Sequence, residues 1–155
     1  MKNMYKVTIR PLQVQDASTS YKWRNDPEIW QYTGSKPNKV ITEQMEKKWI
    51  EDTLNDKTKK RFAIEVDNIY VGNIQLTNIN HESAEYHIFI GQKEYWHKGI
   101  AKLASAQIIK YAKEVLELKE IYLYVNSLNI YAIKAYKALG FKVISPDIKM
   151  ILKLN

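Results

Sequence analysis

Apolar and polar positions alternate along residues 5–10 (YKVTIR), 61–66 (RFAIEV), 69–79 and 84–90 (AEYHIFI), the period-two pattern of strands. Between the first two of these the period lengthens. Residues 16–24 predict a helix that breaks around Asn25-Asp26-Pro27, and residues 30–40, with Gly34, Ser35, Pro37 and Asn38, predict a loop. Residues 42–54 predict a second helix with Met45, Trp49 and Ile50 on its buried stripe. Asp67-Asn68 is a tight hairpin signal, and residues 80–83 make the next turn. The first half thus reads as an antiparallel meander behind two helices.

The second half changes period. Residues 91–98 predict a loop, and Gly99 opens a long helix whose inward face carries Ala101, Ala104, Ile108, Tyr111, Ala112 and Val115. A strand follows over 121–125 (IYLYV), then a helix over 129–139 with Ala132, Ala135, Tyr136 and Leu139 inward and Gly140 as its stop. Residues 141–144 and 148–154 finish as strands around Pro146. A strand-helix-strand-helix-strand run predicts a parallel pair joined by a crossover helix. The fold class is mixed α/β, or α+β, in three layers.

Composition narrows the partners. The 155 residues, 45% hydrophobic and 26% charged, fit one globular domain and exclude a disordered or collagen-like chain. With no cysteine, a disulfide framework, a thiolate nucleophile and a cysteine zinc site are all ruled out. His81, His87 and His97 lack paired ligand spacing, so no metal is expected. No apolar run has the length of a signal peptide or a membrane span, so cytoplasmic residence without a membrane partner is expected. The net charge of +7 favours anionic partners, yet of 24 basic residues only Arg10, Arg24 and Arg61 are arginine. The surplus lysines equally describe a solubilising surface. Lys57, Lys59, Lys60 and Arg61 beside Phe62 form either a solvated turn or the core of a basic nucleic-acid-binding module.

The segment with most chemical content is residues 84–104, in which a strand runs into a loop and His97-Lys98-Gly99-Ile100-Ala101 becomes a first helical turn. The leading NH groups of a helix lack internal acceptors and carry partial positive charge. Gly99 permits close backbone approach, and Lys98 or Lys102 adds charge, so this turn can hold a pyrophosphate. It equally describes an ordinary helix start, since neither GxGxxG nor GxxxxGK[ST] is present.

Some thirty residues on, Asn129-x-x-Ala132-x-x-x-Tyr136-x-x-x-Gly140-Phe141 follows a strand. Together with Trp96-His97-Lys98-Gly99-Ile100-Ala101 and Trp23-Arg24-Asn25-Asp26, this pattern resembles the GNAT superfamily of acetyl-CoA-dependent N-acetyltransferases. Gly99 and Ala101 match the family's phosphate loop; Trp96 replaces its Gln or Arg, and His97 replaces a Gly. The resemblance implies that residues 1–155 are one acetyltransferase domain. It implies a mostly antiparallel twisted sheet of about seven strands, splayed between the fourth and fifth and flanked by about four helices. It also implies acetyl-CoA as co-substrate.

By the same resemblance, the pantetheine arm would enter the splay and use the main chain of Phe89, Ile90 and Gly91. The pyrophosphate would rest on NH groups from His97, Lys98, Gly99, Ile100, Ala101 and Lys102, and Asn129, with Asn126 nearby, would hold the arm. Asn129 fits a helix N-cap equally well. Tyr136 matches the family tyrosine that protonates departing CoA, though a tyrosine on an inner helix face also serves as core. Glu85 matches the strand acid that removes the amine proton, or else forms a cross-strand ion pair. His87 shares its face, and Asp26 and Glu28 are further bases.

Trp23, Arg24, Trp30, Tyr32 and the loop from Gly34 to Lys39 would line the acceptor side, unless the aromatics only pack helix on sheet. A polyamine needs acidic surroundings, and Lys36 and Lys39 oppose them. The expected acceptor is a primary amine on an anionic small molecule such as a nucleotide-linked amino sugar. The alternatives are a ribosomal-protein N-terminal amine, a polyamine, or a non-catalytic acetyl-CoA sensor. The final strand, 148–154, could pair two copies into a homodimer.

Overall fold

The computed structural model describes residues 5–30, 37–144 and 148–154. Seven strands form one sheet in the order β1-β2-β3-β4-β5-β7-β6. They are β1 (Val7–Pro11), β2 (Lys60–Val66), β3 (Ile69–Thr77), β4 (Ser83–Ile90), β5 (Glu120–Tyr124), β6 (Lys142–Val143) and β7 (Lys149–Lys153). Every neighbouring pair is antiparallel except β4 and β5, which are parallel. The helices are α1 (Ala17–Arg24), the short α2 (Pro27–Trp30), α3 (Glu43–Leu54), α4 (Ile100–Glu114) and α5 (Ile130–Ala138). The expected mixed sheet with a parallel pair at its fourth and fifth strands is present.

Local chemistry sets the joints. Asp67 and Asn68 both adopt positive φ, 49° and 70°, as the two centre residues of a twist-compatible hairpin turn require. They pair Val66 with Ile69; beyond them the β2–β3 register slips by one residue between Ile64 and Glu65, a bulge. The Thr42 hydroxyl accepts the Met45 NH at 3.1 Å and caps α3. Gly140, at φ 104°, ends α5, and the Phe141 NH folds back to the Tyr136 carbonyl at 3.0 Å.

The sheet has two unlike faces. On one, Ile64, Ile74, Leu76, Tyr86, Ile121 and Leu123 pack with Ile100, Ala104 and Ile108 of α4 in the main core. On the other, Ala63 packs with Leu12, Ala17 and Ile50 under α1 and α3. Register runs Arg61↔Gln75↔His87 straight across β2, β3 and β4, so these three side chains share the second face.

Three expectations need correction. Val115 is 63% exposed because α4 has already ended at Glu114; Ile100 and Ser105 complete its buried stripe instead. On α3 the buried residues are Glu46, Ile50 and Thr53, with Met45 and Trp49 only half-buried, because tertiary partners draw the Glu46 carboxylate inward. The final strand is no edge. β7 lies between β5 and β6, paired over Glu120↔Lys153 to Tyr124↔Lys149 on one side and at Lys142↔Ile151 and Val143↔Met150 on the other. Most of the ladder that a homodimer through this strand would use is therefore occupied.

Candidate functional site

β4 and β5 separate early. Their ladder consists of Ser83↔Glu120, Ala84↔Ile121 and Glu85↔Tyr122, after which β4 runs on to Ile90 with no strand paired to that side among the described residues. Its other edge stays paired with β3 as far as Gly72↔Ile90. The Gly91 NH donates to the Val71 carbonyl at 2.7 Å, which makes Gly72/Ile90 a non-hydrogen-bonded pair of the ladder and Asn73/Phe89 a hydrogen-bonded one. The alternation then turns the NH and C=O of Ile88 and Ile90 toward the gap. The Ile90 carbonyl accepts the Trp96 indole NH at 2.7 Å. Of the three main-chain positions expected to face the gap, Ile90 does; Phe89 and Gly91 are engaged with β3. Ile88, absent from that expectation, stands beside Ile90. Strand alternation alone leaves two phases open, and the Gly91–Val71 bond selects between them.

The loop beyond β4 is shaped for donors. His97 has φ 59° and Gly99 has φ 81°, two left-handed residues around Lys98. A Cβ on Gly99 would meet nothing within 4 Å, so glycine answers there to backbone conformation and not to crowding. The first bond of α4 is Leu103 NH to Gly99 C=O at 3.3 Å. Among the described residues, no acceptor is found for the NH groups from His97 through Lys102. Lys98 and Lys102 are exposed beside them, and the first turn of α4 holds no acidic residue. Unpaired donors at the head of a fifteen-residue helix form an anion site. The His97 ring packs on Tyr131 of α5 at 4.5 Å. Asn129 caps α5 by accepting the Ala132 NH at 3.3 Å, and Asn126 accepts the Leu128 NH at 2.8 Å. Both asparagines keep their amide NH2 groups for another acceptor.

Tyr136 sits where the strands part. Its ring meets Tyr86, the first β4 residue past the last β5 pair, edge-on at 5.8 Å, and Phe141 at 5.9 Å. Its hydroxyl has no hydrogen-bond partner among the described residues. Burial pushes its pKa up to about 12. Such a phenol holds its proton throughout the neutral range and can act there only as a donor.

Glu85 and His87 lie on the opposite face of β4. His87 Nε2 is 3.2 Å from Glu85 Oε2 and 3.1 Å from Thr77 Oγ1, while Asn78 donates to Glu85 Oε1 at 3.0 Å. Burial lowers the His87 pKa, Glu85 opposes that, and the Arg61 charge adds to it. Its imidazole is therefore neutral at neutral pH and able to take a proton.

Around this pair stand α1 and α3. Trp23 is only 6% exposed and packs on Phe89 and Tyr70. Arg24 pairs with Glu46 at 2.8 Å, and the Ser20 hydroxyl donates to the other Glu46 oxygen at 2.7 Å. Asp26 and Glu28 both hold Lys93, each at 2.7 Å, and that pairing lowers the Asp26 pKa. Trp30 ends α2 half-buried, whereas Tyr32 and residues 34–36 lie outside the described residues. Sequence reasoning missed Glu46. Its spacing of four before Ile50 and seven before Thr53 put it on the buried stripe, which was the available signal.

Residues 6–142 match the family model described as an acetyltransferase (GNAT) domain. The spermidine N(1)-acetyltransferase of Escherichia coli K12 is 31% identical over 145 residues, 92% of this chain and 76% of that one. The acetyltransferase PseH of Campylobacter jejuni strain 81-176 is 29% identical over 136 residues, 88% of this chain and 83% of that one. Among solved structures, Vibrio cholerae spermidine N-acetyltransferase in complex with CoA and spermine superposes with a TM-score of 0.85 at 24% identity, covering 96% of this chain and 95% of that one. Campylobacter jejuni PseH in complex with acetyl coenzyme A gives 0.76 at 24% identity, covering 97% and 100%. With its parted central strands and its helix-head donors, the chain belongs to the GNAT family of acetyltransferases, whose acetyl donor is acetyl-CoA.

Proposed function

We propose that residues 1–155 act as one domain that transfers the acetyl group of acetyl-CoA to a primary amine on an anionic small molecule, such as a nucleotide-linked amino sugar. The observation that carries the donor half is the short β4–β5 ladder ending in a gap beside unpaired NH groups from His97 to Lys102. Those donors, with Lys98 and Lys102, hold the pyrophosphate. Ile88 and Ile90 supply the main-chain groups of a surrogate strand, and an NH of that pair polarises the thioester carbonyl. The Asn129 and Asn126 amides face the arm.

Acetyl transfer forms a bond from the amine nitrogen to the carbonyl carbon and breaks the carbon–sulfur bond. The ammonium proton must leave first. Neutral His87, oriented by Glu85 and Thr77, takes it, or Glu85 takes it through a water. Tyr136, its hydroxyl held protonated by burial, gives a proton to the thiolate from the other face and is reprotonated as the acetylated nitrogen loses its second proton.

The acceptor assignment rests on charge pairing. Glu46 is held by Arg24 and Ser20, Glu85 by Asn78 and His87, and Asp26 and Glu28 by Lys93. A polyamine would have to compete with the Arg24 and Lys93 charges for Glu46, Asp26 and Glu28, and with neutral hydrogen bonds from Asn78 and His87 for Glu85. A second reading stays in play because two acids share Lys93 and because the Escherichia coli relative is named for spermidine. Free-CoA release measured across amine classes separates them. An amino-sugar nucleotide should exceed spermidine by about tenfold or more in kcat/KM; the reverse order, or a preference for peptide N-termini, overturns the assignment. The basic run is a weaker basis for nucleic-acid binding, since Arg61 turns inward onto Trp49 and Lys59 pairs with Asp56 at 3.6 Å.

A further inference from the structure

Arg61 is a cation of the acceptor face without an ion-pair partner among the described residues. Its guanidinium lies 4.6 Å from the Trp49 ring, and Arg24 lies 5.3 Å from the same ring, so one indole carries two cations. Arg24 is neutralised by Glu46 at 2.8 Å. Asp56, a second carboxylate near Arg61, pairs with Lys59 at 3.6 Å. Arg61 forms no ion pair among the described residues; its Nε donates to Thr53 Oγ1 at 2.5 Å. Its two terminal nitrogens have no hydrogen-bond partner there, and neither is sealed from solvent. Burial, with the neighbouring Arg24 charge, draws its pKa down to about 10. A half-buried cation of this kind is stabilised by an arriving anion far more than an exposed lysine is.

Position fits the reaction. Arg61 is in register with Gln75 and, through it, with His87, on the face that carries Glu85. Two strand spacings separate the Arg61 and His87 backbones by about 10 Å. The Gln75 amide between them has no partner among the described residues. We propose that Arg61, fixed by Trp49 and Thr53, receives the anionic group of the acceptor while the amine is presented to His87. The spacing selects a molecule whose amine and anion stand several bonds apart, as on opposite ends of a sugar ring, over an α-amino acid, whose carboxylate is two bonds from its nitrogen. This rests on the acetyl-transfer function proposed above and adds the specificity residue.

The test compares an amino-sugar nucleotide with the same amino sugar lacking phosphate, in wild type, Arg61→Gln and Arg61→Lys. Wild type should prefer the phosphorylated acceptor by about 30-fold or more in kcat/KM, carried by KM; Arg61→Gln should bring the two within about threefold, and Arg61→Lys should recover part of the preference. An unchanged preference in Arg61→Gln overturns the proposal. A second readout needs no acceptor turnover. With CoA saturating the donor site, inorganic phosphate should raise Tm in wild type and in Arg61→Lys but not in Arg61→Gln, and equal shifts in all three also overturn it. Absence of CoA binding in wild type would instead sink the acetyl-transfer function, and the phosphate titration still reads Arg61.

Discussion

In the proposed function the two sides of the central sheet recognise their ligands with different parts of the chain. On the donor side most of the polar groups belong to the main chain, Ile88, Ile90 and six successive NH groups beginning at His97, with Lys98, Lys102, Asn126 and Asn129 beside them. On the acceptor side they belong to side chains, among them Arg24, Glu46, Arg61, Glu85 and His87. Backbone donors are fixed by conformation and tolerate changes of side chain. Charged side chains are fixed by one another, so removing one strands its partner. The first arrangement suits a donor common to many enzymes; the second suits an acceptor that varies.

The contrast is exposed most sharply at Tyr136, the donor-side side chain to which the proposal gives the proton transfer. Tyr136→Phe should lower kcat by about 100-fold while CoA affinity measured by calorimetry changes less than about twofold. A joint loss of both would place this ring among the binding groups and blur the division. Next in size is Glu46→Ala, which leaves Arg24 without its counter-ion and Ser20 without its acceptor. Because Arg24 is 30% exposed the loss is moderated, and urea unfolding should show about 2–3 kcal/mol. Gly99→Ala strains only a positive φ, so about 1 kcal/mol of stability should go, with weaker CoA binding through displaced NH groups.

The smallest effect is on pH. Because burial lowers the His87 pKa, deprotonation to the active base is complete at lower pH than for an exposed histidine. The acid limb of kcat/KM should therefore be centred below the ordinary 6.5 and should vanish in His87→Gln. A limb above that value would falsify the neutral-base assignment.

Local pattern marked the turns and the helix start of the donor side, and the family resemblance supplied the roles of its residues. Asp67-Asn68, Gly99 and Gly140 announce positive φ, and the structure has it at each. Tyr136 stands out through its match to the family motif that ends at Gly140, and the antiparallel meander followed by a parallel pair is legible in the pattern. What escaped was long-range. Nothing local tells that β7 slips between β5 and β6, because that depends on which ladder the chain end finds free. Glu46 reads as one more acid on a charged helix until Arg24 and Ser20 are brought to it. Arg61 was grouped with its lysine neighbours, although strand alternation sets it apart once the inward face of β2 is known. Its partner Trp49 is twelve positions away in the chain, beyond any periodicity.

Gly91 has one more consequence. A β-carbon there would lie 2.1 Å from the Trp23 indole, so α1 rests directly on the point at which β4 leaves the sheet. In the proposed reaction the two halves of the cleft thus share a seam one hydrogen atom thick. A lineage that shifts α1 to accommodate a bulkier acceptor drags the thioester's berth along with it, and positions 23 and 91 must drift as a unit.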